Sequence, residues 1–211
     1  MEKQPTNTHK LYEMYLRDRD MLPVIAIGSA GTGKTFGAVK AAVEWLAKSN
    51  GNKVILSSPV RDDELGFLPG TEREKIAPWV RPLVQNFVFN GISEAALECK
   101  EKHGNVQFIP FQFIQGLTFD NSMIIIDECQ NLTFQQLKCI LTRQGKYSKT
   151  VLCGDIAQTS PNMQNSGLGQ LVDMIDALDL DCYVIEFNHS DILRSERCAK
   201  WIRAFERWEG Q

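Results

Sequence analysis

The chain has 211 residues and a formal charge of −3 at pH 7. That length fits one compact α/β domain with a sizeable core and excludes a second large domain. The charge excludes a surface that is cationic all over, so any nucleic-acid contact must come from a local basic patch.

Residues 1–23 read as a polar N-terminal segment preceding a single domain over 24–211. The run Pro23 to Ile27 is apolar and strand-like, and Phe36 to Lys48 is helix-like. Between them stands Gly28-Ser29-Ala30-Gly31-Thr32-Gly33-Lys34-Thr35, a complete GxxxxGK[ST] phosphate loop in the strand–loop–helix context that gives the pattern its meaning. Glycines let the backbone curl and aim N–H groups at phosphate oxygens, and the helix N-terminus adds a favourable field. Lys34 is expected to reach the β and γ phosphates, and the Thr35 hydroxyl to ligate Mg²⁺.

Lys53 to Ser58, Val106 to Phe111, Met123 to Asp127, Thr150 to Asp155 and Cys182 to Phe187 repeat the short apolar pattern of buried parallel strands, with helical segments between several of them. Six strands in a mostly parallel sheet, with helices on both faces, are the expected core. Residues 61–89, with Gly66, Pro69, Gly70, Pro78 and Pro82, read as a loop with short helices suited to substrate contacts. Trp79 and Phe67 within it are candidates for base stacking or for ordinary packing. In such a sheet, ligands meet the loops at the carboxyl ends of the strands.

The strand from Met123 ends in Asp127 and Glu128, so Asp127 is the expected Mg²⁺ ligand and Glu128 the expected base polarising a water in line with the γ phosphate. Thr133 and Gln136 form a capping box that opens a helix to about Arg143, which carries Arg143 away from the site. Gln158, after the next strand, is placed to sense the γ phosphate. Arg194 is expected at the start of a C-terminal helix, on the apolar face that carries Cys198, Trp201, Ile202, Phe205 and Trp208, as a phosphate contact or a structural ion pair, with Lys200, Arg203 and Arg207 opposite and a Glu196–Lys200 pair. His189-Ser190-Asp191 is too local for a catalytic triad; Ser190 reads as a helix cap.

The six cysteines, at 99, 129, 139, 153, 182 and 198, lack a CxxC pair and share no ligand spacing with the three histidines, so reduced thiols in a soluble cytoplasmic protein and no structural transition metal are expected. No apolar run approaches the roughly 20 residues of a membrane-spanning helix.

Taken together, Gly28 to Thr35, Leu65-Gly66-Phe67-Leu68-Pro69-Gly70, Asp127-Glu128-Cys129-Gln130-Asn131, Leu141-Thr142-Arg143 and Gly154-Asp155 with Gln158 resemble the PhoH family. The resemblance implies a three-layer RecA-like P-loop ATPase, similar to the first motor domain of superfamily 1 helicases, in the short form seen in bacteriophages. It further implies ATP and Mg²⁺ as ligands, RNA or single-stranded DNA as a partner, a homo-oligomer such as a hexameric ring, and the host cytoplasm as location if phage-encoded. A single motor domain needs an arginine at the γ phosphate from elsewhere, and either Arg194 or Arg143 of a neighbouring subunit is the candidate. The chain departs from the family pattern at Ser58, Gln115, Cys129 and Ser195, where the family carries Arg, Arg, Ala and His. A nucleotide-gated assembly module with incidental hydrolysis is the main alternative; a small-molecule kinase is a third.

Overall fold

The computed structural model describes residues 4–59, 72–114, 116–158 and 166–209. Six strands form one all-parallel sheet: β1 (Val24–Gly28), β2 (Lys53–Ser57), β3 (Val106–Phe108), β4 (Ser122–Ile126), β5 (Lys149–Gly154) and β6 (Tyr183–Phe187). Their spatial order is β3-β2-β4-β5-β1-β6, which sets β1 between β5 and β6. Among the described residues eight α-helices surround them: α1 (Asn7–Arg17), α2 (Lys34–Lys48), α3 (Glu72–Phe89), α4 (Glu94–Lys102), α5 (Phe111–Ile114), α6 (Phe134–Leu141), α7 (Gly167–Leu178) and α8 (Glu196–Glu209).

The strand runs are apolar throughout because alternate side chains enter two different cores. Ala26, Leu56, Ile125 and Cys153 meet α1, α2, α3 and α4 on one face. Ile25, Ile55, Ile124 and Leu152 meet α5, α6 and α7 on the other. The expected third strand stops at Phe108, and Phe111 instead opens α5, which buries Phe111 and Ile114 against the sheet.

The expected loop over 61–89 divides: 60–71 lie outside the described residues, and 72–89 form the continuous α3. Pro78 and Pro82 lie inside that helix on its exposed side, where water can take the carbonyls they leave unpaired. Leu83 and Phe87 are buried, and Trp79, four residues before Leu83, packs edge-on against Phe108 at 6.5 Å. This stripe of spacing four anchors the helix and outweighs the prolines. Trp79 is therefore a packing residue; Phe67 falls outside the described residues.

The N-terminal helix α1 joins the main core through Tyr12 and Leu16. Its C-terminal carbonyls are satisfied by a buried lysine: Lys149 Nζ donates to Tyr15 O at 2.7 Å, Asp18 O at 3.0 Å and Leu16 O at 3.4 Å. Burial pulls the Lys149 ammonium down to about 8, yet either protonation state keeps donors for these carbonyls.

At the other end of the chain, helical periodicity puts the wrong face of α8 inward. Ala199 is buried and Ile202, Arg203 and Glu206 are half-buried, whereas Trp201, Phe205 and Trp208 are 63%, 57% and 78% exposed. Local tethers set the rotation. Ser195 Oγ caps the helix by accepting from Cys198 N–H at 3.3 Å, and Glu206 bonds His189. Glu196 pairs with Arg203 at 2.8 Å rather than with Lys200. Ser190 does not cap α8; it lies in a 3-10 turn, His189–Asp191, capped by Asn188.

Candidate functional site

The carboxyl ends of β1, β4, β5 and β6 bring the distant sequence motifs to one edge of the sheet. Gly28 ends β1 at φ 137°, and a Cβ there would stand 2.1 Å from Phe187 O on β6, so no other residue fits without moving that strand. Gly31 at φ 78° lies beneath Arg194, whose Cγ would be 2.6 Å from an added Cβ. Gly33, left-handed at φ 84°, is the N-cap of α2.

Lys34 and Thr35 open α2. Lys34 Nζ donates to Gly28 O at 2.5 Å and Ser29 O at 2.9 Å. Thr32 Oγ1 also donates to Ser29 O, at 2.9 Å, which closes the loop on itself. Thr35 Oγ1 donates to Asp127 Oδ1 at 2.7 Å, although β5 runs between β1, which leads into the loop and α2, and β4, which leads to Asp127. Two hard oxygen donors, 92 positions apart in sequence, thus meet beside the loop, the chemistry a Mg²⁺ ion takes.

β4 ends at Ile126, and the next backbone group, Asp127 N–H, donates to Ser57 O on β2. Glu128 then adopts a left-handed conformation at φ 53°, the turn that frees both carboxylates from the strict alternation of the strand. Burial pushes the Asp127 carboxyl up to about 6; the neighbouring Glu128 charge adds to this, and the Thr35 hydroxyl and Lys34 oppose it. Glu128 is exposed, and its Oε2 accepts from Gln130 Nε2 at 2.7 Å.

In the sequence, Gln130 stands only as part of a motif, with no role of its own. It is buried, and its Oε1 accepts from Asp155 N–H at 3.1 Å while its Nε2 holds Glu128. One amide therefore couples the ends of β4 and β5. Its position beside paired carboxylates is visible in the sequence, but its reach to Asp155 is not. Gln158 ends the 3-10 turn Ile156–Gln158 directly after β5, exposed at the same edge. Cys129 and Cys153 lie buried nearby, and desolvation pushes both thiols up, Cys153 to about 12, so both are unreactive as nucleophiles.

Two groups outside the phosphate loop brace it. Thr6 N–H donates to His9 Nδ1 at 3.1 Å, which leaves the ring proton on Nε2, facing Thr32 O at 2.9 Å. Tyr12 Oη donates to Lys34 O at 3.1 Å, and its ring lies over Gly37, where a Cβ would come within 2.9 Å. From the other side, Leu193 N–H donates to Gly31 O at 2.9 Å. Arg194 lies before α8 in this crossing segment, exposed, with its stem on the phosphate loop of the same chain, and so does not share the helix's apolar face. Arg143 is far from this edge, bonded through Nε to Cys139 Sγ just past α6.

The family model described as "PhoH-like protein" matches residues 3–206. The PhoH-like protein of Mycobacterium tuberculosis strain H37Rv is 35% identical over 189 residues, covering 88% of this chain and 53% of that protein. The chain thus spans about half the length of the curated relatives it matches. Among solved structures, the large terminase of a thermophilic bacteriophage in complex with ADP aligns with TM-score 0.56 and 12% identity, over 92% of this chain and 48% of that one. The UvsW helicase of bacteriophage T4 aligns with TM-score 0.52 and 14% identity, over 88% and 60%. These likenesses show a RecA-like α/β fold. On the family match and the identity over most of its length, this chain belongs to the PhoH-like protein family.

Proposed function

We propose that the protein binds ATP with Mg²⁺ at Gly28–Thr35 and hydrolyses it to ADP and phosphate, coupled to RNA or single-stranded DNA in an oligomeric ring. The observation that carries this reading is the 2.7 Å contact between Thr35 and Asp127, which joins the phosphate loop to a strand-end carboxylate. The ADP complex of the terminase and the helicase UvsW, on the same fold, are consistent with it.

In this reading the backbone from Gly28 to Thr35 cradles the phosphates at the α2 N-terminus. Lys34 exchanges the Gly28 and Ser29 carbonyls for phosphate oxygens by rotation of its own side chain. Thr35 and Asp127 hold Mg²⁺, which when bound neutralises developing phosphate charge. Glu128, positioned by Gln130, takes the proton of the attacking water, and Gln158 senses the γ phosphate from the end of β5.

Arg194 serves its own subunit's γ phosphate, because its stem rests on that subunit's Gly31. Arg194→Ala is expected to lower kcat by about 10²-fold or more. Mixing it with Lys34→Ala subunits should restore nothing; recovered turnover in mixed oligomers would assign the arginine to a neighbour instead.

The whole reading is tested by phosphate release with and without RNA or single-stranded DNA oligonucleotides across protein concentration. Stimulation by oligonucleotide is expected. Slow, flat turnover with ATP-dependent assembly would instead make the chain a nucleotide-gated module, and a phosphorylated small-molecule product in place of free phosphate would make it a kinase.

A further inference from the structure

Two surfaces take no part in the site above. The first is the outer side of α8, where Trp201, Phe205 and Trp208 form an exposed seam. Three rings of about 200 Å² each, roughly two-thirds exposed, present on the order of 400 Å², the size at which an apolar patch on a monomer marks an interaction site. At 100° per residue, exposed Arg197 lies about 45° from the centre of this seam, and exposed Lys200 and Arg207 lie about 105–130° round on the same side, so that the three flank one side of it. None of these three has an ion-pair partner among the described residues.

The second is a groove of about 530 Å³ between α6 and the C-terminal part of α7, walled by Phe134, Leu141, Leu171, Met174, Ile175 and Leu180. Its rim is acidic. Asp181 lines it, Asp176 lies close enough to the lining Cys182 to help hold that thiol protonated, and Asp179 caps α7. The negative end of the α7 dipole opens here with no basic residue in its last turn. Lys138, on the α6 wall, leaves the acidic rim one-sided and so dictates which way a basic stripe must face.

We infer that the two surfaces are halves of one contact, in which α8 of one copy of this chain seats its aromatic seam in the α6–α7 groove of the next. Apolar seam meets apolar groove, and the Arg197, Lys200 and Arg207 stripe meets Asp176, Asp179 and Asp181. The fit is between copies, because the groove opens where Pro23 and Cys182 lead into their strands while α8 departs from the opposite, phosphate-loop edge. A contact of helix into groove is heterologous, so it propagates into a ring or an open filament. Nucleic acid is the poorer occupant of α8. The Trp201 and Phe205 rings stack on each other, 5.8 Å apart at 29°, which leaves no slot for a base, and it would not explain the groove.

This inference deepens the assembly part of the proposed function, and its test runs without nucleotide so that a failure of ATP binding is a separate result. By sedimentation velocity under reducing conditions, the wild-type chain is expected to assemble beyond a dimer as concentration rises, less so at high salt. The helix variant Trp201→Glu/Phe205→Glu and the groove variants Leu180→Lys and Asp181→Lys should each weaken assembly by at least about 30-fold, the effect of losing an anchor. All four positions are exposed, and melting curves matching wild type confirm folding. The helix variant mixed with either groove variant should give a 1:1 heterodimer and nothing larger, since each brings the one surface the other lost. A wild-type chain monomeric at every concentration, variants assembling like wild type, or a mixture that stays monomeric would overturn the inference. So would a helix variant that loses oligonucleotide binding while its assembly is unchanged.

Discussion

Lys34→Ala is expected to reduce ATP turnover by about 10³-fold or more while leaving the protein folded. The side chain is the cation of the loop, at the first residue of α2, and its ammonium already sits among the Gly28 and Ser29 carbonyls at the mouth of the curl. Charge developing on the transferred phosphoryl group is stabilised by groups aimed at it in advance, and water admitted in place of a fixed cation must reorganise. Arg194 approaches the loop from the other side, over Gly31, and does not replace it. Lys34 is only half-buried, so water can take the two carbonyls after truncation and the melting temperature should move little. Turnover within about tenfold of wild type, in protein free of contaminating ATPase, would reject the site.

Asp127→Asn is expected to produce a protein that is more stable and inactive. Burial raises this carboxyl from 3.8 to about 6, so the folded state binds the proton more tightly than the unfolded chain does. The sign follows: the ionised form opposes folding, the penalty is absent below about pH 4, grows through pH 4 to 6, and is full above it. A shift of about two units corresponds to roughly 3 kcal/mol, and the solvent contact Asp127 retains brings the expected gain on substitution to about 1–3 kcal/mol at pH 7.5. For a chain of this size that is a rise in Tm of several degrees, which should vanish when the comparison is repeated near pH 4. Asparagine keeps an oxygen for the Thr35 hydroxyl but not the charge that would hold Mg²⁺ in the proposed function. The thermal shift expected of Mg²⁺ and ATP on the wild type should therefore be absent in the variant, and the wild type's affinity for Mg²⁺ should fall as pH drops through 6. A variant no more stable than wild type at pH 7.5 would contradict the burial argument. A retained Mg²⁺-dependent shift would contradict the ligand role.

The six strands and the phosphate loop were legible because their signals are local. A short apolar run bounded by turn residues reads as a buried strand, and the spacing from Gly28 to Thr35 encodes a backbone shape within eight positions. Where the reading failed, the deciding interaction was remote. Two prolines suggested a broken segment, but the burial of Leu83 and Phe87 with the packing of Trp79 on Phe108 outweighed them and α3 formed. Helical periodicity found the aromatic seam of α8 without finding which side faces the core, since a helix carries its pattern but not its rotation. The Ser195 cap and the His189–Glu206 contact set that rotation.

The sequence by itself determined the alternation that sorts strand residues into two cores, the glycines that permit the loop's backbone, and the carboxylates that end β4. Only the tertiary structure decided that Thr35 touches Asp127 across an intervening strand, that Gln130 ties Glu128 to the end of β5, and that His9 and Tyr12 brace the loop from α1. It also decided that Arg194 lies over Gly31 of the same chain. The physical reason is one of range: propensity and backbone strain act between neighbours in sequence, whereas a hydrogen bond between residues 92 positions apart exists only once sheet order has brought the ends of β1 and β4 to one edge with β5 between them.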